Sequence, residues 1–130
     1  MNKPVLVLDA SALLALINQE AGAAEVQRLL AAGGLVMCTV NFCEVVGKIV
    51  DAGKSVNEFV TLFDGLAIDL IDFDRDIAVA AGEMKKQTAK LGLSVGDRAC
   101  LALAARLDAP AITADSAWKK LKDVKIHAIR

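Results

Sequence analysis

Short apolar runs alternate with longer helix-period segments along the whole chain, and this alternation constrains the fold more than any other feature. Residues 5–8 are apolar without interruption, as expected of a strand buried on both faces. Further strands are predicted over residues 35–38, 66–73, 111–113 and 124–129. Helices are predicted over residues 11–18, 23–32, 40–52, 55–64, 75–91, 97–107 and 116–121. Gly33-Gly34, Gly53 and Gly92 supply stops, and Ser55-Val56-Asn57-Glu58 has the form of a capping box. The segment over 97–107 is apolar nearly all round, the pattern of an enclosed helix. Strands separated by helices imply parallel β-α-β units. The expectation is an α/β fold, a three-layer α/β/α sandwich with a mainly parallel four- to five-stranded sheet, formed by residues 1–130 as one domain.

At 130 residues, with 55% hydrophobic and 24% charged residues, such a chain can bury a core without disulfides and is too apolar to be disordered. Fifteen basic against 16 acidic residues leave a formal charge of −1, which excludes an overall basic field but not a local basic rim. Cys38, Cys43 and Cys100 form an odd set with no C-x-x-C pair, suited to a reducing compartment. Only four apolar residues separate Lys3-Pro4 from Asp9, too few for a secretory signal. The runs over 12–17 and 99–105 are too short to span a bilayer. A cytoplasmic protein with no membrane association is expected.

Ligands of parallel sheets bind beyond the carboxyl ends of the strands. Asp9 and Asp115 each follow an apolar strand there, Asp97 opens the enclosed helix, and Glu44 lies about a turn into the helix after residues 35–38. Four converging carboxylates raise one another's pKa, and a bound divalent cation reverses that effect. Hard cations with oxygen ligands, Mg²⁺ or Mn²⁺, suit such a pocket and can drive in-line phosphodiester hydrolysis. Each acid also has a structural reading. Asp9, Asp74 and Asp115 stand where a helix N-cap is wanted, and Ser94-x-x-Asp97 resembles a capping box. Glu44 falls on the polar face of its helix, where an i,i+4 pair with Lys48 accounts for it.

With these residues in view, the sequence resembles the PIN-domain family, specifically VapC-like toxin ribonucleases. The opening strand with Asp9 and Ser11, the segment Thr39-Val-Asn41-Phe-Cys-Glu44, the segment Ser94-Val-Gly-Asp97 and the segment Ile-Thr113-Ala-Asp115-Ser-Ala-Trp118 carry the likeness, in the family's order and spacing. The resemblance implies Asp9, Glu44, Asp97 and Asp115 as a catalytic, metal-binding quartet for one or two Mg²⁺ or Mn²⁺ ions. It implies Ser11 and Thr113 as neighbours that orient carboxylates or water by hydrogen bonding, and Asn41 as a position that helps hold the site; local backbone bonding explains the two hydroxyls as well, and a turn or helix start explains Asn41. Where the family usually has a small residue after the third acid, this chain has Arg98, whose role is open between a phosphate contact and a structural ion pair.

The implied activity is endonucleolytic cleavage of RNA by metal-activated water, as the toxin of a toxin–antitoxin pair. A homodimer and a small antitoxin are the implied protein partners. With one His and no Tyr, a two-histidine mechanism is impossible and a tyrosine nucleophile is absent, so His127 reads as structural. Arg98 and Lys119, next to motif acids, are the favoured RNA contacts among cations that include Lys48, Lys85, Lys86, Lys90 and Lys120. Phe59 and Phe63, four apart, read as core, and Trp118 as packing on the sheet. Receiver and haloacid-dehalogenase-like domains lack support, because Ala10 and Ser11 follow Asp9 where these would need further acids. A catalytically silent PIN-fold scaffold that binds RNA or protein is the alternative.

Overall fold

All five expected strand regions contribute to one sheet. The computed structural model describes residues 4–130, so Lys3 lies outside the described residues. The strands are β1 (Leu6–Leu8), β2 (Leu35–Cys38), β3 (Asp69–Ile71), β4 (Ala111–Thr113) and β5 (Ile126–Ala128). They lie in the order β3-β2-β1-β4-β5 and every neighbouring pair is parallel. Val7 sits opposite Val36 on one side and Ala111 on the other. The helices are α1 (Ala10–Ile17), α2 (Ala23–Ala32), α3 (Thr39–Asp51), α4 (Val56–Asp64), α5 (Arg75–Glu83) and α6 (Val95–Arg106).

Successive strand residues point to opposite faces, so the sheet builds two cores. Leu8, Met37 and Ile112 pack under Leu13, Val26, Val45, Phe59 and Phe63 from α1–α4. Val7, Cys38 and Ala111 pack under Ile77 of α5, Cys100, Leu101 and Leu103 of α6, and Trp118. This is the expected three-layer sandwich, with four helices on one face and two on the other. Leu101 and Leu103 are fully buried, and at about 1.5–3 kcal/mol per buried leucine they anchor α6 to the sheet. Phe59 and Phe63 are core, as expected, and Phe42 joins them with its ring 4.7 Å from that of Phe63.

Three boundaries differ from the sequence expectation. The third strand is only Asp69–Ile71, and the helix predicted to reach Leu91 ends at Glu83, followed by turns and a 3₁₀ segment at Ala89–Leu91. The Thr88 hydroxyl donates to the Met84 carbonyl (2.8 Å) and the Lys85 N–H to Gly82 (3.1 Å), which tightens the chain out of the α-helix. Conversely, α6 begins at Val95, ahead of Asp97, because the Ser94 hydroxyl and Asp97 carboxylate form a reciprocal capping box. The last helical segment, Ser116–Lys120, is 3₁₀.

The chain runs outward from β1 to β2 and β3 through α1–α4, then returns past β1 to β4 through α5 and α6. The strand order therefore reverses between β1 and β4, and a crevice opens beyond their carboxyl ends. Among the described residues no helix is long and apolar enough to cross a membrane.

Candidate active site

Asp9 and Asp115 flank the point where the strand order reverses. Asp9 leaves β1 in extended conformation and caps α1, accepting the Ala12 N–H at 2.8 Å. The Ser11 hydroxyl donates to both Asp9 oxygens (2.8 and 2.9 Å), and the Thr113 hydroxyl donates to Oδ2 at 2.6 Å. These two hydroxyls also reach across to the next strand end. Ser11 Oγ accepts the Ala114 N–H (2.9 Å) and Thr113 Oγ1 accepts the Asp115 N–H (3.1 Å). Ser11 and Thr113 therefore both hydrogen-bond Asp9 and tie β1 to β4 as well. Asp115 is exposed and caps the 3₁₀ segment through the Ala117 N–H.

Asp9 is only 3% exposed, and burial pushes its carboxyl up from 3.8 to about 6, a rise the hydrogen bonds from Thr113, Ala12 and Ser11 partly offset and the Asp97 charge adds to. Its oxygens receive hydroxyls and an amide, all neutral donors. Glu44 is raised as well, first by desolvation and then by Asp97, against the opposing pull of Asn41 and Lys48.

Asn41 joins the other two acids. Its side chain is buried, and its Nδ2 donates both to Glu44 Oε1 (3.2 Å) and to the Gly96 carbonyl (3.0 Å), so α3 and the first turn of α6 meet through one amide. Asn41 Oδ1 is buried without a partner. Gly96 permits this approach: a Cβ there would overlap the Glu44 carboxylate. Asp97, next in the chain, accepts the Ser94 N–H through Oδ2 at 3.0 Å and leaves its other oxygen free of intramolecular bonds among the described residues. The polar face of α3 that carries Glu44 and Lys48 forms one wall of a cleft, with both side chains still exposed.

That cleft, of about 240 Å³, is lined by Asp9, Ala10, Ser11, Leu14, Glu44, Lys48, Asp97, Asp115 and Trp118. All four expected acids are brought together. Among the described residues, however, no three acidic, His or Cys side chains close into a ready-made cage. Four carboxylates that share a cleft without closing on one point suit a hard cation that keeps several of its waters and takes few direct protein ligands, the habit of Mg²⁺. Asp74, the third acid at a cap position, is structural: it caps α5 and pairs with Arg106 at 3.2 Å, away from the cleft.

Arg98 corrects the sequence reading. It is 8% exposed, absent from the cleft wall, and its Nη1 donates to the Ala81 carbonyl (3.1 Å) in the last turn of α5. Adjacent helix residues point about 100° apart, so the face that presents Asp97 to the cleft turns Arg98 into the α5–α6 interface. Among the described residues it makes no ion pair within 4.0 Å; it caps the end of a helix instead. Lys119 is exposed on the 3₁₀ segment and outside the cleft wall. Trp118 is 1% exposed, which leaves no ring face for a base, and it packs under the cleft as expected. His127 Nε2 lies 2.7 Å from Glu25 on α2, a structural role. Gly96 escaped the sequence reading, since only its neighbour Asp97 carries chemistry there.

The PIN domain family matches residues 6–124. The chain belongs to the PIN domain family. Solved structures with this PIN fold include VapBC-1 from nontypeable Haemophilus influenzae, 18% identical over 96% of this chain and 98% of the matching one, with a TM-score of 0.72. VapBC2 from Rickettsia felis, bound to a DNA fragment from its promoter, gives 17% identity, 95% and 98% coverage and a TM-score of 0.71. A toxin–antitoxin complex from Klebsiella pneumoniae gives 16% identity, 96% and 98% coverage and 0.72. No curated protein matches the chain.

Proposed function

We propose that this PIN domain is a divalent-metal-dependent endoribonuclease and the toxin of a toxin–antitoxin pair. One observation carries the reading: four carboxylates from β1, α3, α6 and β4 share the cleft at the strand-order reversal, with the most buried of them held by neutral donors alone. Asp9, Glu44, Asp97 and Asp115 would hold one or two Mg²⁺ or Mn²⁺ ions. Bound there, the cation supplies positive charge for the phosphodiester oxygens and a water of lowered pKa. Ser11 and Thr113 hold Asp9 in a single orientation, and Asn41 aims Glu44. Glu44, raised by burial and by Asp97, would accept the proton of the attacking water. The reaction needs no covalent intermediate with the protein.

The likeness to chains of toxin–antitoxin complexes supports a small antitoxin as partner; a homodimer as the working assembly and a cytoplasmic site of action belong to the same proposal. The deciding experiment is cleavage of single-stranded RNA with Mg²⁺ or Mn²⁺, compared with chelator and with D9N and D97N. Cleavage should require the metal and both acids; metal-independent cleavage, or full activity in D9N, would reject the mechanism. Metal-dependent RNA binding with no cleavage under any condition would favour the silent scaffold.

A further inference from the structure

The cleft that gathers four carboxylates contains one cation among its described lining residues, Lys48. The packing of α3 explains its position. Val45 and Ile49 are buried in the core, which turns residues 44 and 48, one helical turn apart, together toward the cleft. A lysine four residues after a glutamate ordinarily reads as half of a surface ion pair. Here that pair is not formed: among the described residues Lys48 takes part in no ion pair within 4.0 Å, and the Glu44 carboxylate is engaged by Asn41 instead. Lys48 is exposed, so its flexible stem can swing its ammonium over the cleft mouth. The cations next to the motif acids in sequence do not compete for this place, since Arg98 is buried against α5 and Lys119 lies outside the wall.

We propose that Lys48 is a catalytic residue that grips the scissile phosphodiester, its ammonium bonding a non-bridging phosphate oxygen. The inference rests on the ribonuclease reading and deepens it. An RNA phosphate approaching four carboxylates meets net repulsion, and a lone ammonium on the rim offsets it where charge builds on the phosphorus oxygens. As the water oxygen bonds to phosphorus and the P–O bond to the leaving ribose breaks, Lys48 keeps all its protons. It stabilises charge and transfers nothing. The leaving oxygen takes its proton from solvent.

The test compares wild type, K48M and K48R with a labelled single-stranded RNA. K48M should keep the wild-type Tm and lose about 10- to 100-fold in single-turnover cleavage, the loss expected for one charge-assisted hydrogen bond; K48R should recover most of it. RNA binding, followed by anisotropy in Ca²⁺ across a salt series, should lose about 0.7 from its log–log slope, one phosphate contact on a single strand. Mn²⁺ binding without RNA, followed by calorimetry, should be equal or tighter in K48M, because a positive charge has left the rim. A purely structural lysine propping Glu44 would give the opposite sign, weaker Mn²⁺ binding with an unchanged salt slope, and that result would overturn the proposal. So would wild-type cleavage by K48M. If wild type itself neither cleaves nor binds RNA, the ribonuclease reading fails and the role of Lys48 falls with it; if wild type cleaves and K48M matches it, only Lys48 is excluded.

Discussion

Replacing Asp9 by Asn should make the metal-free protein more stable at neutral pH, although Asp9 makes more hydrogen bonds than any other acid of the cleft. Burial raises its carboxyl from 3.8 to about 6, so the folded state holds the proton more tightly than the unfolded chain does. The sign follows from linkage: the stabilisation is fully present below pH ~4 and is lost as pH rises through about 6. At about 1.36 kcal/mol per pH unit, the folded protein carries a penalty of about 3 kcal/mol above pH 7. The D9N substitution removes the charge, and the new side-chain oxygen can still accept the Ala12 N–H as an N-cap. Its amide nitrogen must then face the Ser11 or Thr113 hydroxyl, which turns to accept at a cost of about 1 kcal/mol in imperfect geometry. The net gain is about 1–3 kcal/mol, or about 3–10 °C in Tm for a chain of this size. Thermal unfolding by circular dichroism in chelator, from pH 4 to pH 8, measures it. Wild type should lose stability across pH 4–7 relative to D9N, and at the acid end, where only the imperfect amide geometry is left, wild type should be the more stable by about 1 kcal/mol. Saturating Mn²⁺ should lift wild type by about 2.7 kcal/mol at a hundredfold excess over Kd, and D9N much less. A D9N protein less stable than wild type at pH 7.5, or one with the same pH profile, would refute the reasoning.

Thr113→Val removes the donor to Asp9 and the acceptor for the Asp115 N–H; it should cost about 1–3 kcal/mol and weaken Mn²⁺ binding about 10- to 100-fold, read by thermal shift and calorimetry. Arg98→Met should lower stability by about 1–3 kcal/mol, because the Ala81 carbonyl loses its partner, while the salt dependence of RNA binding stays unchanged. Gly96→Ala should hold or raise Tm through better helix propensity, yet weaken Mn²⁺ binding about 3- to 10-fold by displacing Glu44, and pairing it with Glu44→Asp should restore part of the loss.

Much of this architecture was legible because a parallel sheet needs the pattern the chain displays. Residues 5–8 and 111–113 read as buried strands, and the acid after each had one place to go, the crevice beyond β1 and β4. The ends of helices were harder. The stop of α5 at Glu83 depends on Thr88 and Arg98 reaching carbonyls that no local pattern identifies. Glu44 illustrates a second limit. Its amphipathic wheel correctly assigned it to the polar face, but periodicity does not say whether such a face meets solvent or another helix. Arg98 shows the reverse error, where adjacency to Asp97 along the chain suggested a shared environment and the helical rotation separated them. Gly96 carries no side chain, so its contribution exists only as space.

The paired hydroxyls of Ser11 and Thr113 have a dynamic consequence. Because they hold the Ala114 and Asp115 amides while also holding Asp9, the cleft floor cannot breathe independently of the two innermost strands. Those two amide hydrogens, beside an exposed aspartate, should therefore exchange with deuterated water as slowly as the middle of the sheet and open only when the whole molecule does.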